Sequence, residues 1–291
     1  MDTRRQVRRR PLLDICIPTR NRAGYLDLLL SQLSEGISNS DLSADINVIV
    51  SDNSSDDATS DVLALWRERE ESWTLTTTPG NIGAAANYKL LIKKSAADFV
   101  WVFGDDDELV SDTSLKDVVW LLRETDPDLL LLAEVRCPDW APPELNFNTP
   151  REFLVFVADH DPDAIRRSTW ISAQVFRRIM ITPPGVTPSL TNEYALSYGI
   201  WRGLALSQKK VVVRRTPTVR PRPVAGHRDP GAFPSQASLR LEWALFYNYI
   251  SREFDVPKLR KFARRWSPKN SGTFAKLLKA LARGSLRFRA N

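Results

Sequence analysis

A mostly parallel α/β sheet is the fold this chain predicts, on three observations. Short apolar runs recur through the first half, each sized for one buried strand: Leu12 to Pro18, Ile46 to Val50 and Phe99 to Phe103. Segments with helical apolar spacing alternate with them, which is the pattern of strand–helix–strand crossovers. Each run also ends on a polar or acidic cluster, and open parallel sheets bind ligands beyond the carboxyl ends of their strands.

The elements follow in order. Arg4 to Arg10 reads as a basic arm ended by Pro11, and Leu12-Leu-Asp-Ile-Cys-Ile-Pro18 as the first strand. Thr19 to Gly24 is a polar turn, and Tyr25 to Leu33 has the spacing of a helix packed on a sheet. Ile46 to Val50 is a second strand ending on Ser51-Asp-Asn-Ser-Ser-Asp-Asp57. A helix over Asp61–Glu71 and a β-branched strand over Trp73–Thr78 come next. The turn Pro79-Gly-Asn-Ile-Gly83 then feeds a helix over Ala84–Lys94, whose N-terminus offers N–H groups suited to phosphate or ribose oxygens.

The apolar run Phe99-Val-Trp-Val-Phe103 stops at Gly104, and Asp105, Asp106 and Asp107 follow. Adjacent like charges cost folding energy unless a positive group sits among them, and a hard divalent cation shared with phosphates is one remedy. A solvated acidic turn is the other. A helix over Ser114–Arg123 and a strand over Asp128–Ala133 close the first half.

The second half is harder to type. Cys137 to Pro150 reads as a proline-rich surface excursion, and Phe153–Val157 and Ile171–Phe176 as elements of unassigned type. Thr191 to Leu206 has helical spacing with Glu193 in its first turn, and Lys209–Val213 is a short strand. Thr216 to Gln236 is a long arginine- and proline-rich loop, and loops of that length in compact proteins are functional or mobile. In the tail, Phe274, Leu277, Leu278 and Leu281 fall on one helical face with Lys and Arg on the others. Such a helix lies on an anionic bilayer, docks on an acidic body, or forms a dimer contact.

Charge distribution separates the ends from the body. Residues 1–11 hold five arginines and residues 258–291 eleven Lys and Arg with no acid, whereas residues 12–257 hold 25 basic and 34 acidic residues. Basic arms on an acidic body point to an anionic surface and away from a nucleic-acid-binding domain. The length of 291 residues suits one large α/β domain with appendages or two small domains. Two cysteines, Cys16 in an apolar run and Cys137, make no disulfide scaffold, and no apolar stretch has membrane-spanning length. A cytoplasmic location is expected, with no signal-peptide core at the N-terminus.

Four stretches together resemble the family-two glycosyltransferases of the GT-A fold. They are Ile15-Cys-Ile-Pro-Thr-Arg-Asn-Arg22, Val48-Ile-Val-Ser-Asp-Asn-Ser-Ser-Asp56, Asn81-Ile-Gly83 and Trp101-Val-Phe-Gly-Asp-Asp-Asp107, in the family's order. The resemblance covers about residues 12–225, and its last stretch is similar to the abequosyltransferase-like branch, which builds bacterial surface polysaccharides. It implies a GT-A domain over 12–225, preceded by the arm 1–11. A loop and helix over 226–257 then complete the acceptor side, before the basic tail 258–291. It also implies an inverting, Mg²⁺- or Mn²⁺-dependent enzyme that takes a nucleotide-diphosphate sugar. The acceptor would be a glycan or lipid-linked glycan.

The same resemblance distributes roles over the residues. Pro18, Thr19, Arg20 and Arg22 match the first strand end, and Asp52 and Asn53 the second; Asn81, Gly83 and Asn87 complete the nucleotide pocket. A buried carboxylate such as Asp52 can read a base N–H. Asp105, Asp106 and Asp107 match the Asp-x-Asp metal motif, although Gly104 stands where an aspartate is commonest, and Asp105 with Asp107 is the favoured pair. Glu193 falls at the general base, and Arg220 and Arg222 at a diphosphate clamp with His227 as a further metal ligand. Two other readings stay open: a sugar-phosphate nucleotidyltransferase, whose expected glycine-rich phosphate loop is missing from Pro18 to Arg22, and a non-catalytic nucleotide-sugar-binding assembly protein.

Overall fold

A computed structural model describes residues 10–132, 141–181, 195–207, 210–222 and 236–266. The chain begins with β1 (Leu13–Thr19), α1 (Ala23–Asn39), β2 (Ile46–Asp52), α2 (Thr59–Arg69) and β3 (Thr74–Thr77). It continues through α3 (Ala84–Lys94), β4 (Phe99–Val102), β5 (Asp107–Leu109) and α4 (Ser114–Thr125). Then come β6 (Leu129–Leu131), β7 (Glu144–Phe147), α5 (Pro150–His160), α6 (Ala164–Arg167) and β8 (Gln174–Arg177). The last elements are α7 (Ala195–Ser207), β9 (Val211–Arg214), β10 (Val219–Pro221), α8 (Gln236–Glu253) and α9 (Leu259–Trp266).

These elements form two compact units. The first takes the chain up to Asp126 and adds Val175–Ile179 and Thr218–Arg222 from much later in the sequence. Its strands run in the order β3-β2-β1-β4-β8. β1 pairs in parallel with β2, from Leu13 opposite Ile46 to Thr19 opposite Asp52, and with β4, from Leu13 opposite Phe99 to Cys16 opposite Val102. Parallel pairing puts the carboxyl ends of β1, β2 and β4 along one edge, so the loops after them are neighbours. β8 closes this set antiparallel to β4.

The apolar runs explain the strands. Leu13, Ile15, Cys16, Ile17, Val48, Val50 and Phe99 through Phe103 are all buried, as strands covered on both faces require. α1 buries Leu26, Leu29, Leu30, Leu33 and Ile37, a single stripe at helical spacing. α3 starts after Gly83, whose φ of 79° and ψ of 159° belong to a region that is essentially glycine-only.

One buried carboxylate breaks the apolar run of β1. Asp14 is fully buried; its Oδ2 accepts from the Ser95 hydroxyl at 2.6 Å and from the N–H groups of Ala96 and Ala97 at 2.8 and 2.9 Å. Its Oδ1 accepts from Asn47 Nδ2 at 2.9 Å. Asp14 therefore ties down the chain between α3 and β4, and its removal leaves several donors buried and unpaired. Asp14→Ala should lower unfolding free energy by about 3 kcal/mol, read as a shift of the urea midpoint with an unchanged slope.

The second unit comprises Pro127–Gln174, Met180–Pro217 and the chain from Pro223 on. Within it β9 pairs in parallel with β6 and antiparallel with β7. The proline-rich excursion therefore contains a strand, β7; after Pro143 its four residues still expose a backbone edge that β9 can pair. The unassigned stretch at Phe153 is helical. Thr149 caps it by accepting from Glu152 N–H at 3.2 Å, Pro150 sits in the first turn, and Glu152 reaches back to Asn148 N–H at 2.9 Å. Phe153 stacks on Trp201 of α7, and Trp201 meets Phe246 and Phe254 edge-on, which makes the aromatic core of this unit. Gly203 lets α7 press against Met180: an added Cβ would lie 2.6 Å from the Met180 carbonyl oxygen. No helix among the described residues is long and apolar enough to cross a membrane.

Candidate functional site

The loops after β1 and β2 lock into each other. Asn21, held at a φ of 54°, donates its N–H to Ser55 Oγ at 2.8 Å and accepts from Asp56 N–H at 2.9 Å. Asp57 accepts from Ala23 N–H at 3.2 Å and from Thr59 N–H at 3.0 Å, fixing the starts of α1 and α2 together. The wall they build is preorganised, because its turn residues are spent on one another.

Against that wall stand three buried polar atoms without hydrogen-bond partners: Ser51 Oγ, Asp52 Oδ2 and Asn87 Oδ1. Asp52 Oδ1 accepts from Ser55 N–H at 3.1 Å and from the Ser55 hydroxyl at 2.5 Å, so one carboxylate oxygen is tethered and the other is left over. Asn87 donates to the Ser51 carbonyl at 3.0 Å, which likewise leaves its own oxygen over. An unpaired buried acceptor costs roughly 1–3 kcal/mol, and such atoms gather where a ligand's donors complete them. Asn53 serves differently. Its side chain donates to Asn81 Oδ1 at 2.9 Å and accepts from Ile82 N–H at 2.8 Å, so it pins the Asn81–Gly83 turn. Pro18 is half-buried, Arg20 is exposed, and Asn81 Oδ1 also accepts from Gly83 N–H at 3.0 Å.

Three different environments receive the three aspartates. Asp105 is buried, and its Oδ2 accepts the Thr19 hydroxyl at 2.7 Å. Desolvation pushes its carboxyl up to about 7; the Thr19 hydrogen bond and Arg22 pull it down, while neighbouring Asp106 pushes it further up. Asp106 is the most accessible of the three and receives Arg22 NH1 at 2.9 Å. Burial disfavours the Arg22 charge, but Asp105 and Asp106 outweigh it and raise the guanidinium's pKa. Asp107 is buried at the start of β5. A Cβ on Gly104 would lie 2.6 Å from Asp107 Oδ2 and 3.3 Å from Asp106 Oδ1. Oxygens of two carboxylates thus converge over the bare α-carbon of Gly104.

The turn carrying these aspartates is held from two sides. β5 pairs antiparallel with β10, with Arg220 opposite Glu108 and Pro221 opposite Asp107, and Arg222 N–H donates to the Asp106 carbonyl at 2.9 Å. The opening of the expected structureless loop at Thr216–Gln236 is therefore a strand; its prolines and arginines hide it, since Pro221 is tolerated only because the strand lies at an edge. Arg220 Nε donates to Glu108 Oε1 at 2.6 Å, and Arg222 Nε lies 3.4 Å from Glu108 Oε2. From α1, the Gln32 side chain donates to the Leu109 carbonyl at 3.0 Å and accepts from Leu109 N–H at 2.9 Å. Gln32 and Glu108 are positioning residues that sequence reasoning missed.

The structure gathers Thr19, Arg22, Asp105, Asp106, Asp107, Arg220 and Arg222 at one place. Glu193 and His227 lie outside the described residues. Among the described residues no cluster of three or more His, Cys, Asp or Glu could hold a metal ion alone. A divalent cation held by Asp106 and Asp107 would have to take its remaining oxygens from phosphates and water.

Residues 14–139 match the family model "Glycosyl transferase family 2". Over 103 residues the chain is 31% identical to abequosyltransferase RfbV of Salmonella typhimurium, a match spanning 35% of this chain and 30% of that protein. Staphylococcus aureus TarS, solved with UDP-GlcNAc, superposes with a TM-score of 0.59 at 16% identity, covering 82% of this chain and 66% of that one. The mannosyltransferase PcManGT of Pyrobaculum calidifontis, solved with GDP-Man and Mn²⁺, gives 0.56 at 14% identity, covering 96% and 82%. At such identities the likeness is one of fold: the α/β, GT-A architecture.

Proposed function

We propose that this chain, whose residues 14–139 match the family model for glycosyl transferase family 2, is a metal-dependent inverting glycosyltransferase of that family. It moves a sugar from a nucleotide-diphosphate sugar to a hydroxyl of a glycan or lipid-linked glycan, in bacterial surface polysaccharide or related glycoconjugate synthesis. The observation that carries this reading is the strand-end edge. There Asp52 presents an unpaired buried carboxylate oxygen, and Asp106 and Asp107 converge over Gly104.

Each residue then has a task. Asp52 Oδ2 accepts from the base, Asn87 supplies a second acceptor, and Asn53 shapes the Asn81–Gly83 turn beside the ribose. Asp106 and Asp107 would hold Mg²⁺ or Mn²⁺, with Asp105 behind them bonded to Thr19. A cation bound there would supply charge stabilisation to the leaving nucleoside diphosphate. Arg222, anchored by its backbone to the aspartate turn, and Arg220 reinforce that charge stabilisation. In the displacement the acceptor oxygen bonds to the anomeric carbon as the bond to the diphosphate oxygen breaks. The acceptor's proton passes to a general base, for which Glu193 is our assignment.

The reading puts the protein in the cytoplasm, peripheral on the inner membrane face through residues 258–291. In support, α9 exposes Arg260, Lys261, Arg264 and Arg265. Sedimentation with phosphatidylglycerol vesicles, but not phosphatidylcholine ones, is the expected behaviour, lost at high salt.

A screen of UDP-, GDP-, CDP- and TDP-sugars with and without Mn²⁺ identifies the donor by slow release of free nucleoside diphosphate. With that donor, Asp106→Asn combined with Asp107→Asn, the pair the geometry favours over Asp105 with Asp107, should lower transfer by at least about 100-fold. Transfer at full rate in that variant, under defined Mg²⁺ or Mn²⁺, would sink the mechanism.

A further inference from the structure

We infer that Arg22 is a relay between the aspartate turn and the donor: its guanidinium neutralises Asp106 when no ligand is bound and turns to the diphosphate when a cation binds the other oxygen of that carboxylate. The inference rests on the function proposed above and assigns a linkage between cation and nucleotide that the function alone does not require.

Arg22 NH1 sits 2.9 Å from Asp106 Oδ2, and the opposite oxygen of that carboxylate, Oδ1, is one of the two that converge over Gly104. A cation bound there and the guanidinium therefore draw on the same carboxylate. Arg220 and Arg222 direct their side chains to Glu108, so Arg22 is the guanidinium placed on Asp106 itself. The backbone of Arg22 is fixed at the start of α1: its carbonyl accepts from Leu26 N–H at 2.9 Å, and its N–H donates to Thr59 Oγ1 at 3.4 Å. The side chain has a second resting surface, because its guanidinium carbon lies 5.8 Å from the centroid of the Tyr25 ring. Side chains of Arg22 and Asp106 remain 23% and 37% exposed, so exchange requires no opening of the core.

The physical consequence is a coupling of two binding events. A bare divalent cation on Asp106 Oδ1 shares its carboxylate with a guanidinium that has no other anion to turn to, so repulsion between the two positive charges makes it bind weakly. A nucleoside diphosphate arriving with the cation gives that guanidinium a new partner and removes the penalty. Cation and donor then bind as one unit.

The test uses the full-length protein and Mn²⁺, with bound ion counted by loss of the free-ion paramagnetic resonance signal. Whichever of UDP, GDP, CDP and TDP binds the wild-type protein with Mn²⁺ serves as the nucleotide. Arg22→Gln should bind bare Mn²⁺ about tenfold more tightly and bind the nucleotide in the presence of Mn²⁺ about tenfold more weakly. Arg22→Lys, which keeps the charge, should lie between it and the wild type. A misfolded variant weakens both affinities, so opposite signs in one protein are the diagnostic result. Bare Mn²⁺ affinity unchanged or weakened in Arg22→Gln overturns the relay, as does nucleotide affinity left unchanged. Mn²⁺ binding in neither protein, with or without nucleotide, overturns the metal reading along with it.

Discussion

Gly104→Asp is expected to cut sugar transfer by roughly 100-fold or more, although it installs the residue commonest at this place in the family the sequence resembles. The new Cβ would meet Asp107 Oδ2 at 2.6 Å, inside any tolerated contact, and Asp106 Oδ1 at 3.3 Å. The collision displaces the carboxylates of Asp107 and Asp106, which we assign to the proposed cation, and a fourth adjacent negative charge adds repulsion. Gly104→Ala separates the two effects, since it carries the steric clash without the charge. It should retain more activity than Gly104→Asp and less than the wild type. Transfer rates with the identified donor, beside a thermal melt, check this. Wild-type rates in Gly104→Ala would mean that Asp106 and Asp107 do not act from their positions over Gly104.

Asp52→Asn should weaken donor binding about 100-fold while leaving the empty protein as stable as before, or more so. The two directions follow from one atom. Asp52 Oδ2 is buried and has no hydrogen-bond partner, so the folded protein bears its desolvation cost with no return until a ligand's N–H arrives. The asparagine keeps an oxygen for Ser55 and replaces the left-over acceptor with a donor that faces a base donor. Nucleotide titrations and melting temperatures of both proteins provide the check. Asp14→Ala is the contrasting case. Asp14 and Asp52 are both buried acids of the first unit, but every bond of Asp14 is made inside the protein, so its loss falls on stability.

The sheet of the first unit was legible because its central strands are short apolar runs, broken only by Asp14 in β1 and Asn47 in β2, that alternate with helical spacing. The edge on which their loops meet followed from that alternation, whereas the strand order β3-β2-β1-β4-β8 came from the structure. The special character of Gly104 was visible as a missing acid, but its reason, a clash with Asp107, exists only in three dimensions. β7 and β10 were missed for a shared cause: strands of three or four residues at edges carry prolines and charges and show no period. Gln32 was hidden because a polar side chain on a helix otherwise reads as solvent-facing, whereas this one completes the backbone bonds of Leu109. The helix at Phe153 could have been typed from Thr149, Pro150 and Glu152, which form a cap readable from residue order alone. The expected tail helix at Phe274–Leu281, like Glu193 and His227, falls outside the described residues.

The ribbon of β5 and β10 also bears on how the protein matures. Its two strands lie far apart in the chain, with Arg220 meeting Glu108 across 112 positions. The first unit likewise takes β8 from a distant segment. A chain emerging from the ribosome can assemble β1 to β4 early, because all their mutual pairings lie between Leu13 and Val102. The aspartate turn waits until more than 200 residues have been made, as Arg222 N–H and the Asp106 carbonyl must find each other. The aspartate turn is thus among the last parts of its unit to be completed.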